Sequence, residues 1–322
     1  MRNLSVTFPS EEGPVHAVNG FNLHIGPRER VGIVGESGSG KSVTALSILR
    51  LLGNARVTGE ILFDGADLLD ASPKAMQRIR GGEIGYIFQD PMSALNPVLT
   101  VGAQVREALR LHGVGRKEAA ERAIDILQRV GIPDAQRRAR GYPHQYSGGM
   151  RQRVMIAMAL VCGPKLLIAD EPTTALDVLV QQQVLELILD LADEQDLAIL
   201  FISHDLNLLA GFVERAVAMY AGRPVEKCSI DDLFERPRHP YTLGLMESIP
   251  NLVGPPKDQL RVIPGYPPTP TTLPTGCPFH PRCSFVRDVC REIEPPLESG
   301  HDPTHESACH FSDEVAETRR AL

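Results

Sequence analysis

The run Gly35-Glu36-Ser37-Gly38-Ser39-Gly40-Lys41-Ser42 fits the pattern GxxxxGK(S/T). Glycines at these positions let backbone N–H groups turn inward around phosphate oxygens. A helix starting where the loop ends adds partial positive charge beside the phosphates. Lys41 would meet the β- and γ-phosphates, and the Ser42 hydroxyl would hold Mg2+. A chance Gly/Ser loop is the competing reading. The setting weighs against it, because the apolar run Arg30–Val34 precedes the loop and a helix-like run begins at Val43. Gly35 through Val43 are therefore candidate nucleotide-binding residues. Downstream, Leu166-Leu-Ile-Ala-Asp170-Glu171 is an apolar strand-like run ending in two carboxylates. Pro172 stops the strand, so both acids sit at its tip. In P-loop proteins an Asp there supports Mg2+. The next residue, Glu171, could orient or deprotonate water. The bland alternative is a solvated strand end.

A second constellation lies near the C-terminus. Cys277, Cys283, Cys290 and Cys309 follow one another with 5, 6 and 18 residues between. Four thiolates can close an iron–sulfur or zinc site. The spacing is wide for a zinc ribbon, and Pro278 and Pro281 stiffen the loop between ligands. Spacing alone leaves iron–sulfur, zinc and unligated thiols open. Cys162 and Cys228 read as packing residues, Cys162 on an apolar helix.

These residues need elements to hold them. A chain of 322 residues suggests about two domains. Lys plus Arg is 33 and Asp plus Glu is 40, so the net charge is −7. That balance disfavours a protein built to coat nucleic acid or anionic lipid, although a local basic patch stays compatible with it. Apolar residues at 43% and charged residues at 23% fit a soluble globular chain and exclude extensive disorder. No apolar run reaches the roughly 18 residues of a membrane span. The start MRNLSVTFPSEEG lacks an apolar signal core, so no export signal is expected. The six cysteines then read as thiols or metal ligands rather than disulfides.

Up to about residue 235, short apolar runs alternate with amphipathic stretches such as Lys117–Val130 and Val178–Ala192. The second places Val180, Val184, Leu187, Ile188 and Leu191 on one helical face. The alternation predicts an α/β sheet flanked by helices. Residues 250–303 then hold 13 of the 26 prolines, so regular elements should be scarce there. The expected division is 1–240 and a Pro/Cys-rich C-terminal extension, 241–322.

Tyr146-Ser147-Gly148-Gly149-Met150-Arg151-Gln152 stands just before Asp170-Glu171. With it, the chain resembles an ATP-binding-cassette (ABC) ATPase, YSGGMRQR being similar to the LSGGQ signature with Met150 in the usual Gln place. The segments IFQDPMSALNPV, PKLLIADEPTTALDV, MYAGR, RHPYT and LPTGCPFHPRC narrow the resemblance. They are similar to the D-type ATPase subunit of oligopeptide and dipeptide permeases, over nearly the whole chain. The resemblance implies a P-loop NTPase cassette, a mixed sheet with flanking helices plus a helical signature subdomain at about 90–165. It also implies a late chain start, so that the first strand is short or frayed.

The resemblance assigns further residues. Gln89 falls at the Q-loop that senses Mg2+ and water, so Ser42, Gln89 and Asp170 form the Mg2+ set. Asp177 falls at the D-loop and His204 at the switch that contacts the γ-phosphate; alone, a His after a strand is as well a structural one. Phe8 could stack on adenine or equally be a core phenylalanine. Ser147, Gly148, Gly149 and Met150 would contact ATP held by a second cassette, although by themselves they read as an ordinary helix cap. Met92, Ala94, Leu95 and Pro97, next to Gln89, would offer membrane subunits an apolar surface. The cysteine quartet would hold a 4Fe-4S cluster, with zinc as the alternative.

The implied activity is ATP hydrolysis that drives uptake of di-/oligopeptides or related solutes. The implied partners are a second ATPase, usually a paralogue, two transmembrane permease subunits and, indirectly, an extracytoplasmic solute-binding protein, with no nucleic acid. The implied place is peripheral, on the cytoplasmic face of the inner membrane. Two rivals belong to other classes. A DNA-repair or chromosome-type cassette ATPase would carry coiled-coil arms between Lys41 and Ser147, where no heptad run occurs. An iron–sulfur redox sensor with a vestigial nucleotide site is opposed by the intact Lys41, Asp170 and Glu171.

Overall fold

In the strand Arg30–Val34, Val31, Ile33 and Val34 are fully out of water, as a short apolar run bounded by a turn predicts. It belongs to a computed structural model describing residues 1–11, 13–173, 177–248 and 262–320. The chain forms two units. One comprises Met1–His24, Val31–Asp70 and Ile202–Leu322, the other Ile25–Arg30 and Ala71–Phe201.

In the first unit the strands run in the order Glu298–Ser299, Glu306–Ser307, Arg223–Ser229, Arg215–Tyr220, Arg30–Val34. Arg215–Tyr220 is parallel to Arg30–Val34, with Val217 opposite Ile33, and antiparallel to Arg223–Ser229. The tail adds its strand to this sheet, Ser307 opposite Glu226. Its other described elements are short: the helices Pro240–Glu247, Asp288–Glu292 and Ser312–Arg320 and the 3-10 turn His280–Arg282.

A separate antiparallel sheet in the same unit sets Arg2–Phe8 between Val15–Phe21 and Arg56–Glu60. The expected short or frayed first strand is instead seven residues long and central. Leu4 and Val6 alternate inward, fully buried, and the Met1 amino group donates to the Leu23 carbonyl at 2.7 Å. Two-sided pairing and this anchor hold the end down.

In the second unit Leu166–Asp170 lies between Ala198–Ser203 and Ile84–Ile87 and is parallel to the latter, Tyr86 opposite Ile168. The helices Val101–Leu111, Arg116–Arg129 and Gly148–Leu160 fill residues between these strands. Arg116–Arg129 buries Ala119, Ala123, Ile126 and Leu127, spaced three and four apart on one face. Val178–Glu194 buries Val184, Ile188 and Leu191, while Val180 and Leu187 are half-buried. Cys162 lies just beyond the helix Gly148–Leu160, half-buried, rather than on it. No helix of the described residues is long and apolar enough to cross a membrane.

Candidate active site

The first unit carries the phosphate-binding loop between the strand Arg30–Val34 and the helix Lys41–Ile48. The backbone takes positive φ at Gly35 (157°), Gly38 (79°) and Gly40 (101°). A Cβ at Gly35 would stand 2.2 Å from the Met219 carbonyl oxygen, and one at Gly40 2.6 Å from that of Ala17. Glycine alone meets both demands. Lys41 is buried, its ammonium donating to the carbonyls of Gly35 at 2.7 Å and Glu36 at 3.0 Å. Ser39 Oγ is buried with no hydrogen-bond partner among the described residues. A phosphate oxygen entering the loop would satisfy such an orphan, so the cradle suits a nucleotide. Ser42 and Val43 follow in the first helical turn.

Two tail residues that the sequence reading did not place in the site reach this loop. Tyr241 Oη accepts from the Glu36 N–H at 2.7 Å. Arg282 grips the Glu36 carboxylate with both terminal nitrogens, at 2.6 and 2.9 Å. Its remaining donors reach Tyr220 Oη at 3.3 Å and the Pro264 carbonyl at 2.9 Å. Hydrogen bonding to Glu36 holds the Arg282 guanidinium above its already high ordinary value, and burial pushes the Tyr220 and Tyr241 phenols up. RHPYT and PRC were the available signals. Separations of 205 and 246 residues hide both contacts from a linear reading.

Elsewhere in this unit, His204 is exposed just after the strand Ala198–Ser203. Phe8 is half-buried at the end of its strand, opposite Val15.

The cysteine quartet converges. Cys277, Cys283, Cys290 and Cys309 line one small cavity with Phe279, Phe285 and Phe311. None forms a disulfide. Backbone N–H groups of Phe285 and Phe311 donate to the sulfurs of Cys283 and Cys309, at 3.3 and 3.4 Å. Burial pushes the Cys283 thiol up to about 11, Cys309 to about 12, and Cys277 upward as well. Four thiols around one cavity, with N–H donors aimed at sulfur, suit a bound metal centre.

Glu226, Cys228 and His305 form the one trio among the described residues whose ligating atoms all lie within 4.8 Å. It is a structural knot. Glu226 Oε1 accepts from the Arg238 N–H at 2.5 Å and lies 2.7 Å from His305 Nε2, and Oε2 accepts from the His239 N–H at 3.1 Å. The carboxylate is already satisfied and ties RHPYT and the tail to the strand Arg223–Ser229.

The second unit brings both carboxylates of the motif beside the Q-loop strand. Tyr86 Oη donates to Asp170 Oδ2 at 2.9 Å, and Gln89 Nε2 donates to Glu171 Oε2 at 3.0 Å. Asp170 ends, and Glu171 follows, the strand parallel to the one that carries Tyr86, which explains the pairing. Glu171 has φ 46°, a left-handed conformation that costs a non-glycine residue energy and turns it off the strand line. Burial, then the Asp170 charge, pushes the Tyr86 phenol far up, so it remains a donor.

Ser147 N-caps Gly148–Leu160, its Oγ accepting from the Met150 N–H at 3.3 Å. Gly148, in the first turn, is exposed and Gly149 half-buried. Asp177 N-caps Val178–Glu194 by accepting from the Val180 N–H at 3.1 Å. Residues 174–176, the rest of that motif, lie outside the described residues. Leu95, expected on the apolar docking surface, is only 3% exposed. It closes the short helix Pro91–Ala94 and turns into the core. Met92, expected there, is 55% exposed, and Val98 at 75% and Leu99 at 38% join it as exposed apolar residues.

Family comparisons agree with this geometry. Residues 18–174 match the ABC transporter family, and residues 225–290 match the oligopeptide/dipeptide transporter C-terminal region. A probable peptide ABC transporter ATP-binding protein of Sinorhizobium fredii is 51% identical over 319 residues, 98% of this chain and 95% of that one. A putative peptide import ATP-binding protein of Brucella abortus is 52% identical over 296 residues, 91% and 89% of the two chains. Among solved structures, a dimeric ATP-binding cassette in a post-hydrolysis state bound to ADP and Pi matches with TM-score 0.64 and 30% identity, covering 71% of this chain and 97% of that one. The cassette cbiO1 of Clostridium perfringens, part of an ABC transporter complex, matches with TM-score 0.60 and 28% identity, covering 72% and 90%. A glycine-built phosphate cradle, a strand ending in paired carboxylates, a Ser-Gly-Gly helix start and near-full-length relatives converge: the chain belongs to the ABC transporter ATP-binding proteins and is an ABC-type ATPase.

Proposed function

We propose that this ATPase powers a membrane importer of di- and oligopeptides or related solutes. The carrying observation is the union, in one chain, of the phosphate cradle with a tail matching the oligopeptide/dipeptide region. Relatives named for peptide import at about half identity support it.

Lys41 would neutralise the β- and γ-phosphates, while loop amides and Ser39 Oγ bind their oxygens. Ser42, Gln89 and Asp170 would hold Mg2+, which when bound supplies charge neutralisation on the phosphates. Glu171 would take the proton of the attacking water, with Gln89 holding its carboxylate in place. His204 would touch the γ-phosphate, and Phe8 would stack on the adenine. Ser147, Gly148, Gly149 and Met150 would contact the nucleotide of a second cassette, a paralogue, with Asp177 at the same junction. The dimeric, ADP- and Pi-bound relative supports the pairing of cassettes. Nucleotide then acts as a ligand-biased switch between paired and separated cassettes.

Residues about 90–165 would form the helical subdomain and 241–322 the extension. Two permease subunits would receive the motion at the apolar surface near Met92 and Val98, with a solute-binding protein outside. The chain would sit peripherally on the cytoplasmic face of the inner membrane.

Cys277, Cys283, Cys290 and Cys309 would hold a 4Fe-4S cluster, structural or regulatory, with no part in hydrolysis. Their convergence on one cavity supports a bound metal centre.

The test is phosphate release and labelled-peptide uptake by the chain reconstituted with its permease partners in proteoliposomes. ATP-dependent uptake is expected. Phosphate release without transport of any peptide would overturn the peptide reading. A brown protein containing iron and sulfide supports the cluster; zinc without iron would overturn it.

A further inference from the structure

We infer that Arg282 is a positioning residue for the phosphate-binding loop, and that through it the cysteine-bearing tail sets the chain's affinity for nucleotide. The inference rests on the nucleotide site described above.

Glu36 poses an electrostatic problem. Its carboxylate belongs to a loop whose task is to enclose a polyanion. Uncompensated, that charge repels phosphate. Arg282 removes the problem with a two-pronged grip on both carboxylate oxygens, at 2.6 and 2.9 Å. The Arg282 side chain is 5% exposed and that of Glu36 27%, so the pair is partly shielded from water while Glu36 stays within reach of salt. Its guanidinium also packs over the Tyr220 and Phe279 rings, 5.7 and 6.0 Å from their centroids. Those rings meet each other nearly at right angles, and both meet Tyr241, whose hydroxyl accepts the Glu36 N–H. One Glu36 residue is thus held by its carboxylate and by its amide, both from elements beyond residue 240.

The grip is wired to the cysteines. Arg282 immediately precedes Cys283 and closes the turn His280–Arg282, which lies between Cys277 and Cys283. Within that turn the Arg282 N–H donates to the Phe279 carbonyl at 3.0 Å, and the Cys283 N–H to the His280 carbonyl at 3.3 Å. Where this loop closes decides where the guanidinium stands, and so how Glu36 and its neighbouring amides are aimed. Coupling of this kind is reciprocal: nucleotide that fixes the loop also steadies the cysteine turn.

The experiment uses the full-length chain and MgADP as the probe, with affinity from equilibrium titration at low and high salt. Arg282→Ala is expected to weaken binding about tenfold, within the usual range of site-to-site couplings, and the deficit should shrink in high salt. Adding Glu36→Gln to Arg282→Ala removes the repelling charge and should restore most of the loss, which repair of a merely structural defect would not. Hydrogen exchange of the 277–283 amides should slow on MgADP addition in the natural chain and respond less in Arg282→Ala. If the alanine variant does not fold, Arg282→Lys keeps the charge and the stem but loses the planar fork, and should weaken binding about threefold. Unchanged affinity in the folded Arg282 variants, or no recovery in the double variant, overturns the inference. Failure of the natural chain to bind MgADP would instead overturn the nucleotide site itself.

Discussion

Tyr86 donates its hydroxyl proton to Oδ2 of Asp170 across 2.9 Å, both groups being buried. The bond fixes the rotation of the carboxylate assigned to Mg2+. The phenol is pushed so far up by burial and by the Asp170 charge that it stays protonated at any working pH. The neighbouring pair, Gln89 and Glu171, repeats the arrangement one step further along the same two strands. Each acid assigned to hydrolysis is thus oriented by a donor from the strand Ile84–Ile87 or the residues just after it.

Tyr86→Phe should therefore raise the Mg2+ concentration that half-saturates ATPase activity by about tenfold, the usual size of a lost outer-shell partner. Turnover at saturating Mg2+ should change less. The melting temperature should fall modestly, because a buried carboxylate oxygen loses a donor at a cost of about 1–3 kcal/mol. Superimposable Mg2+ titrations of the two proteins would show that the hydroxyl does not position the acid.

Glu171→Gln removes the base while keeping the shape of the side chain. Turnover should fall by about 10²–10⁴-fold. Nucleotide should still bind, because Lys41 and the loop are untouched, and ATP should accumulate in paired cassettes. Phosphate release and size-exclusion chromatography with ATP check the two halves. Natural turnover in the variant would take the base role from Glu171.

The phosphate loop and the paired acids were legible because each is a contiguous pattern with a local cause: glycines where φ must be positive, and a proline that ends a strand behind two carboxylates. The cysteines were legible as a set, and the structure closes them on one cavity. Arg282 and Tyr241 were not. Their partner, Glu36, lies more than 200 residues away in sequence, and a salt bridge leaves no periodicity. The length of the first strand was underestimated because its support comes from two neighbours, at Val15–Phe21 and Arg56–Glu60, and not from its own residues. Leu95 was misjudged because an apolar residue in a short loop reads the same whether it faces water or the core.

His239 makes the fold sensitive to acid. Burial lowers its pKa from 6.5 to about 3, and its Nδ1 accepts the Tyr241 N–H at the start of the helix Pro240–Glu247. The folded value lies below the unfolded one, so the unfolded chain binds the extra proton. The contribution is fully present above pH 6.5 and is lost as pH falls toward 3, with a slope of at most about 1.4 kcal/mol per pH unit. His239→Asn keeps an acceptor at the cap but does not titrate. Urea midpoints measured from pH 7 to pH 4.5 should fall less steeply for this variant. Parallel slopes would place the acid sensitivity elsewhere.

Leu95 and Val98 lie three residues apart and should fail in opposite ways. Leu95 is 3% exposed and Val98 75% exposed. Leu95→Ala opens a hole in the core and should cost about 2–5 kcal/mol of stability. The folded fraction should remain coupled to transport. Val98→Asp places a charge on an exposed apolar position, where stability effects are usually within about 0.5 kcal/mol. A membrane subunit seated there would have to desolvate that carboxylate, so solute-stimulated ATPase and uptake should drop together in proteoliposomes while the melting temperature holds. An uncoupled but stable Leu95→Ala, with a fully coupled Val98→Asp, would move the docking surface back into the loop and away from its exposed edge.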